Sequence, residues 1–185
     1  IRLLPNGWRP GPVGEPPPAA AERKRAGEKL VLYPSHWGYH KNFELLPRML
    51  AELVRRPGCE RVCLTLTVDR EGIRPVVGEA FERIAAEFDR LGLSDRWISV
   101  GMLRQAALAG LYGAADAVVY PSVCESFTRA FLEAMAAGCP LVASDRDFAR
   151  EICSDAALYA SPDDAIAWAD AVAAVLLDPG VARRL

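Results

Sequence analysis

Two glutamates eight positions apart, Glu125 and Glu133, are the residues of this chain whose surroundings most clearly call for chemistry. They lie in a run that reads as strand, turn and helix: Ala117-Val118-Val119-Tyr120, then Pro121 to Glu125, then an apolar-periodic stretch closed by Gly138 and Pro140. Ser126 is the expected N-cap, Gly138 the expected C′ residue, and Pro140 bars continuation of the helix. A helix starting there leaves its first backbone N–H groups unpaired, and with the helix dipole they form a seat for a phosphate or carboxylate. Eight helical residues rise by about 12 Å in little more than two turns, which places both carboxylates on broadly one side. Glu133 stands among Ala130, Phe131, Leu132, Ala134 and Met135. A buried carboxylate costs several kcal/mol unless it is hydrogen-bonded, and a ribose diol offers two donors. The alternatives are a solvated helix face or a core arginine for Glu133, and a purely dipole-stabilised acid for Glu125.

The elements that must position these residues alternate short apolar runs with longer amphipathic ones, the pattern of a βαβα chain. The expected fold class is therefore α/β, a Rossmann-like parallel sheet flanked by helices. Strands are expected at 29–33, 62–67, 97–100, 117–120, 141–143 and 157–159, with helices at 42–56, 76–91, 103–114, 126–137 and 164–177. In such a sheet the ligand crevice forms from the loops that leave the C-terminal strand ends. The opening stretch, residues 1–27, combines six prolines with four glycines, and its composition predicts a linker or extended segment without regular structure. Residues 28–185 then form one domain of ordinary size.

The formal net charge of −2 is spread along the chain and gives no electrostatic reason to expect nucleic acid as a partner. Of five cysteines, Cys59, Cys63, Cys124, Cys139 and Cys153, four sit in or beside apolar segments; their spacings match no zinc site and read as buried thiols in a reducing cytosol. No run of uninterrupted apolar residues is long enough to span a bilayer. The chain opens on Ile1, which leaves room for further chain ahead of it, a targeting segment included.

The run Tyr120-Pro121-Ser122-x-x-Glu125-Ser126-Phe127-x5-Glu133-Ala134-Met135-Ala136-Ala137-Gly138-Cys139-Pro140 resembles the E-x7-E signature of the family 4 glycosyltransferases, retaining enzymes of GT-B fold. The resemblance extends more weakly from Pro5-Asn6-Gly7 to about Leu177 and covers the C-terminal, donor-binding half of such an enzyme. It implies that Glu125 lies beside the donor sugar, that Glu133 binds the ribose hydroxyls, and that backbone N–H groups around Phe127, Thr128 and Arg129 face sugar and phosphates. It implies that Lys41, in the loop after the first strand, neutralises the diphosphate. A lysine at the head of a helix opposes the dipole and asks for an anionic partner, although a solvated loop lysine is the alternative. His36 stands where the family usually has arginine and supplies less charge. Val100 to Leu103, with Val100 and Met102 foremost, resemble the loop that recognises the base. Three departures stand out: Thr128 replaces the usual glycine, Arg129 replaces an apolar residue, and Val68 to Gly72 replace a glycine-rich turn.

The implied function is binding of a nucleoside-diphosphate sugar for retaining hexosyl transfer to an acceptor held by a separate N-terminal domain. The implied location is the cytoplasm, with attachment at the membrane surface left open. No obligatory metal or other cofactor is expected, although Asp145 and Asp147 keep the metal question open. The departures at His36 and Thr128 motivate an alternative, a nucleotide-sugar-binding or regulatory module without transfer. A nicotinamide-dependent oxidoreductase would require a G-x-G-x-x-G turn, and none follows Tyr33 or Thr67.

Overall fold

The computed structural model of the protein describes residues 9–68 and 75–185, the side chains of 75–77 excepted. Six strands form one sheet: β1 (Lys29–Tyr33), β2 (Val62–Leu66), β3 (Trp97–Ser99), β4 (Ala117–Tyr120), β5 (Leu141–Ser144) and β6 (Leu158–Ala160). Every pair is parallel and the order is β3-β2-β1-β4-β5-β6. The expected α/β class, a Rossmann-like parallel sheet flanked by helices, is the fold observed. Strands β1, β2, β4 and β5 are buried almost throughout, which explains their continuous apolar runs in place of alternation.

The helices are α1 (Pro18–Arg25), α2 (Leu45–Leu53), α3 (Pro75–Arg90), α4 (Gln105–Ala114), α5 (Arg129–Ala136), α6 (Asp147–Cys153), α7 (Ala165–Leu177) and α8 (Pro179–Ala182). Helices α2 and α7 pack on each other, and α5 lies against α4 and β5. The core runs through the sheet and is anchored by Trp168, Phe43, Phe88 and Phe131, all fully buried.

Two sequence expectations fail. The opening segment is not devoid of regular structure, because α1 forms within it. Pro17 and Pro18 suit a helix start, where a missing N–H costs nothing, and Ala19, Ala20, Ala21 and Glu22 are strong helix formers. Its last turn carries Arg23, Lys24 and Arg25, which complement the dipole. Ala20 is buried, and Lys24 reaches Asp116 at 2.8 Å while the same carboxylate accepts from the Leu30 amide at 2.7 Å. Ahead of α1 the chain is extended as expected and packs along α4, with the Gly14 amide bonded to the Ala106 carbonyl at 2.9 Å.

The second correction concerns the helix after β4. It begins at Arg129, with Thr128 as N-cap in extended conformation (φ −116°, ψ 121°), and Ser126 caps nothing. Residues 121–128 form a loop with bends at Val123 and Ser126, and that loop carries Glu125 to Lys41 and turns the Thr128 hydroxyl toward Tyr120. A helix from Ser126 would withdraw both. The C-terminal end is as expected: Gly138 adopts φ 64°, and the Cys139 and Gly138 amides bond the Ala134 and Met135 carbonyls.

Candidate active site

The sheet order reverses between β1 and β4, and the loops leaving those two strands diverge there to leave a crevice. A cavity of about 650 Å³ occupies it, bounded by the loops after β1, β2, β3 and β4 and by the start of α5. That size lies within the range of about 300–1,000 Å³ typical of small-molecule sites.

One wall is the loop after β1. Aromatic packing holds it: Trp37 stacks on Phe43 at 4.7 Å between ring centroids, and Phe43 tilts against Tyr33 at 5.0 Å. Asn42 takes the left-handed conformation (φ 56°), which asparagine tolerates better than most residues. Its amide donates to the carbonyls of Pro121 at 3.2 Å and Pro162 at 2.8 Å. The Val123 amide donates to the His40 carbonyl at 2.8 Å, and the Tyr33 hydroxyl to the Lys41 carbonyl at 2.6 Å. The loops after β1 and β4 are thus stapled together, and Lys41 is fixed from both sides.

Lys41 and Glu125 meet in the cavity wall. The ammonium donates to Glu125 Oε1 at 2.5 Å and to the Tyr120 hydroxyl at 2.9 Å, and both partners of the ion pair are nearly inaccessible. Burial by itself pulls the Lys41 pKa down, but the hydrogen bonds to Glu125 and Tyr120 outweigh it and leave the pKa raised. Lys41 is therefore a charged, partnered, buried residue and not a solvated loop lysine. Glu125 sits in the loop ahead of α5, so its spacing from Glu133 is not the helical one that the sequence suggests.

Glu133 lies half-buried within α5, and its Oε2 accepts from the Tyr112 hydroxyl at 3.1 Å. Among the described residues no other hydrogen bond to that carboxylate is found, and no core arginine pairs with it. Burial first, and then the neighbouring carboxylate, raises the Tyr112 pKa well above the ordinary phenol value. Glu133 lines the large cavity and also a small apolar one of about 80 Å³ between the extended segment before α1, α4 and α5.

The remaining expected site residues separate into groups. Phe127, buried Thr128, exposed Arg129 and exposed His36 all line the cavity. Desolvation, followed by the positive charges of Lys41 and His40, lowers the His36 pKa against the opposing pull of Glu125. Met102 lines the cavity at its rim and is 79% exposed. Val100 does not line it: its amide donates to the Leu66 carbonyl at 2.9 Å and its side chain packs on the core. Leu103, Leu108 and Val68 supply the apolar wall there. Of the loop after β2, Asp69 to Gly72 lie outside the described residues, as do Pro5 to Gly7.

The Thr128 side chain makes no cap bond, so among the described residues the first-turn amides of α5 have no partner at the cavity edge. Sequence reasoning gave no role to Tyr120, whose hydroxyl joins Lys41 and Thr128, or to Tyr112. Tyr120 ends a strand at the crevice, which is a signal the sequence offers; nothing local marks Tyr112, which lies in α4, the helix before β4. Asp145 is engaged by Arg150 at 2.5 Å, and Asp147 lies in the first turn of α6.

A doubly wound parallel sheet with a cavity at its switch point is the Rossmann-like unit of GT-B type proteins. The chain matches the family described as Glycosyl transferases group 1 over residues 19–185, and it belongs to that family. It is 34% identical over 164 residues to a D-inositol 3-phosphate glycosyltransferase of Nocardia farcinica, covering 86% of this chain and 35% of that protein. Among solved structures, the sucrose-phosphate synthase of Thermosynechococcus elongatus superposes with a TM-score of 0.75 at 31% identity, covering 92% of this chain and 42% of the other. The Anabaena protein HepE, solved in complex with UDP and glucose, superposes with a TM-score of 0.75 at 22% identity over 90% of this chain and 46% of its own. The chain thus spans less than half the length of these relatives.

Proposed function

We infer that this chain is the donor-binding domain of a retaining glycosyltransferase of the E-x7-E subclass, with residues 28–185 as that domain and the acceptor held by a separate domain preceding it. The observation that carries the reading is the convergence of two partnered carboxylates on one cavity at the switch point, Glu125 through Lys41 and Glu133 through Tyr112. Glu133 has an unoccupied oxygen to accept from a ribose hydroxyl beside the apolar wall of Leu103 and Leu108. The unpaired amides at the start of α5 receive the diphosphate, and the Lys41 ammonium stabilises the charge that builds on it as the sugar departs. In the transfer, the bond from the anomeric carbon to the diphosphate breaks, a bond to an acceptor hydroxyl forms on the same face, and that hydroxyl passes its proton to the departing diphosphate oxygen. Glu125, beside Lys41, lies where the donor sugar would rest. None of these steps calls on a metal. Nucleotide sugars and reduced cysteines are both at home in the cytoplasm, which is where the reading places the protein; all five cysteines are unpaired.

Calorimetric titration with UDP, GDP, ADP and their sugars tests the binding. A Kd in the micromolar range is expected for one nucleotide series, weakened by Glu133→Ala and Lys41→Ala. Undiminished affinity in both variants would show the site to be elsewhere.

A second reading, a nucleotide-sugar-binding module without transfer, draws on the Lys41–Glu125 pair: a lysine already neutralised by a carboxylate has less charge left for a leaving group. Assays of sugar transfer and donor hydrolysis on the full-length protein separate the two. Tight binding with neither activity would favour the module.

A further inference from the structure

Among the described residues, the acidic and basic side chains lining the large cavity are few: His36, Lys41, Glu125, Arg129 and Glu133. Lys41 is neutralised by Glu125 at 2.5 Å. Glu133 accepts from the Tyr112 hydroxyl and has no cationic partner among the described residues. His36 has its protonation disfavoured by desolvation and by the positive charges beside it. Arg129 alone among these lining cations has no carboxylate partner among the described residues. Among the described residues, the formal charges of the lining side chains cancel with Arg129 and sum to a net negative wall without it. Such a wall would repel the diphosphate that the proposed function requires.

The position of Arg129 favours the same conclusion. It is the first residue of α5, and the Cα–Cβ bond of a helical residue tilts toward the N-terminus, here toward the cavity edge formed by Thr128, Arg129 and Ala130. A cation at a helix N-terminus is opposed by the dipole and gains nothing from the fold at that place. An anion seated on the first-turn amides reverses the balance, since amides and guanidinium then face the same negative group. Guanidinium geometry suits this, with two parallel N–H donors matched to a pair of phosphate oxygens.

Resting on the donor-site reading, we propose that the Arg129 guanidinium is a further residue that binds the donor diphosphate electrostatically, adding positive charge at a cavity where Lys41 is already paired with Glu125. The substrate class it selects is the nucleoside diphosphate, in preference to the monophosphate or the nucleoside.

The test is calorimetric titration of the wild type, Arg129→Ala, Arg129→Lys, and His36→Arg combined with Arg129→Ala, against the best-binding nucleoside diphosphate, its monophosphate and its nucleoside. Loss of one charge-assisted contact predicts a drop of about tenfold to a hundredfold in diphosphate affinity for Arg129→Ala. Nucleoside affinity should stay unchanged, and lysine should restore part of the loss. Adding a permanent cation through His36→Arg on the same cavity should also recover diphosphate affinity in the Arg129→Ala background, which a structural role for Arg129 would not produce. The thermal midpoint of Arg129→Ala should hold or rise, since a dipole-opposed cation is removed. If the wild type binds the diphosphate and Arg129→Ala binds it equally well, the assignment is overturned while the donor-site reading stands. If the wild type binds no nucleoside diphosphate, both fall together.

Discussion

Removing one partner of the Lys41–Glu125 pair strands a charge in a wall from which water is nearly excluded. The side chains are 5% and 9% exposed and meet at 2.5 Å. Breaking a buried pair on one side generally costs about 3–5 kcal/mol, whereas replacing both members by apolar groups is close to neutral. Two features of this site place the single-variant cost toward the lower figure. The Tyr120 hydroxyl remains as an acceptor for Lys41 at 2.9 Å, and the pair borders a cavity of about 650 Å³ open to solvent. We therefore expect about 3 kcal/mol for Glu125→Leu and a similar loss for Lys41→Met. With a urea m-value of about 2 kcal/mol/M, the denaturation midpoint should fall by about 1.5 M in each. The double variant should cost less than the sum of the singles by about 2 kcal/mol or more, because neither charge is then left alone. Urea unfolding of the four proteins, with m checked for constancy, measures this cycle. Single losses below about 1 kcal/mol, or strict additivity, would mean that both groups are effectively solvated and that the fold does not hold Lys41 as described.

Tyr112→Phe removes the one protein donor found for the Glu133 carboxylate and should cost about 1–3 kcal/mol in urea unfolding; a neutral result would mean that water already satisfies it. Burial pushes the Cys139 thiol up to about 12, so the native state keeps a proton that the unfolded chain releases near pH 9. Stability complete below that pH is then lost between pH 9 and 12 at about 1.4 kcal/mol per pH unit, and Cys139→Ala should flatten the decline by that slope. His36 has a lowered pKa that an adjacent phosphate would raise, so nucleoside-diphosphate binding near pH 6 should take up protons. Calorimetry in buffers of different ionisation enthalpy would show this, and buffer-independent heats would place His36 away from the phosphates. A Cβ at Gly110 would run into the Gly14 carbonyl where the extended segment crosses α4. Gly110→Ala should therefore speed hydrogen exchange at the Gly14 amide and lower the melting temperature, and an unaltered exchange rate would contradict that crossing.

Much of the fold was legible because its signals are local. Apolar runs as short as Val62–Leu66 and Ala117–Tyr120 become buried parallel strands, and Gly138 followed by Pro140 ends α5 through backbone geometry that few other residues accept. Asp164, adjoining its apolar helix, caps α7 through bonds to the Ile166 and Ala167 amides. Local signals also misled. Proline density hid α1, although three of its residues are alanines with helix-forming neighbours, and the apparent cap at Ser126 yielded to a start three residues later.

The sequence by itself determined that residues 29–33 and 117–120 are strands, that Glu125 and Glu133 belong to one segment, and that Glu133 needs a hydrogen-bond donor, since these follow from residue type and near neighbours. Tertiary structure decided who those partners are. Lys41 is 84 residues from Glu125, and Tyr112 is 21 from Glu133. Only the placement of β4 beside β1 brings the first pair together, and only the packing of α4 on α5 brings the second. The charge left over on Arg129 is likewise a property of the assembled cavity, because a residue lacks a partner only once every other group has found its place.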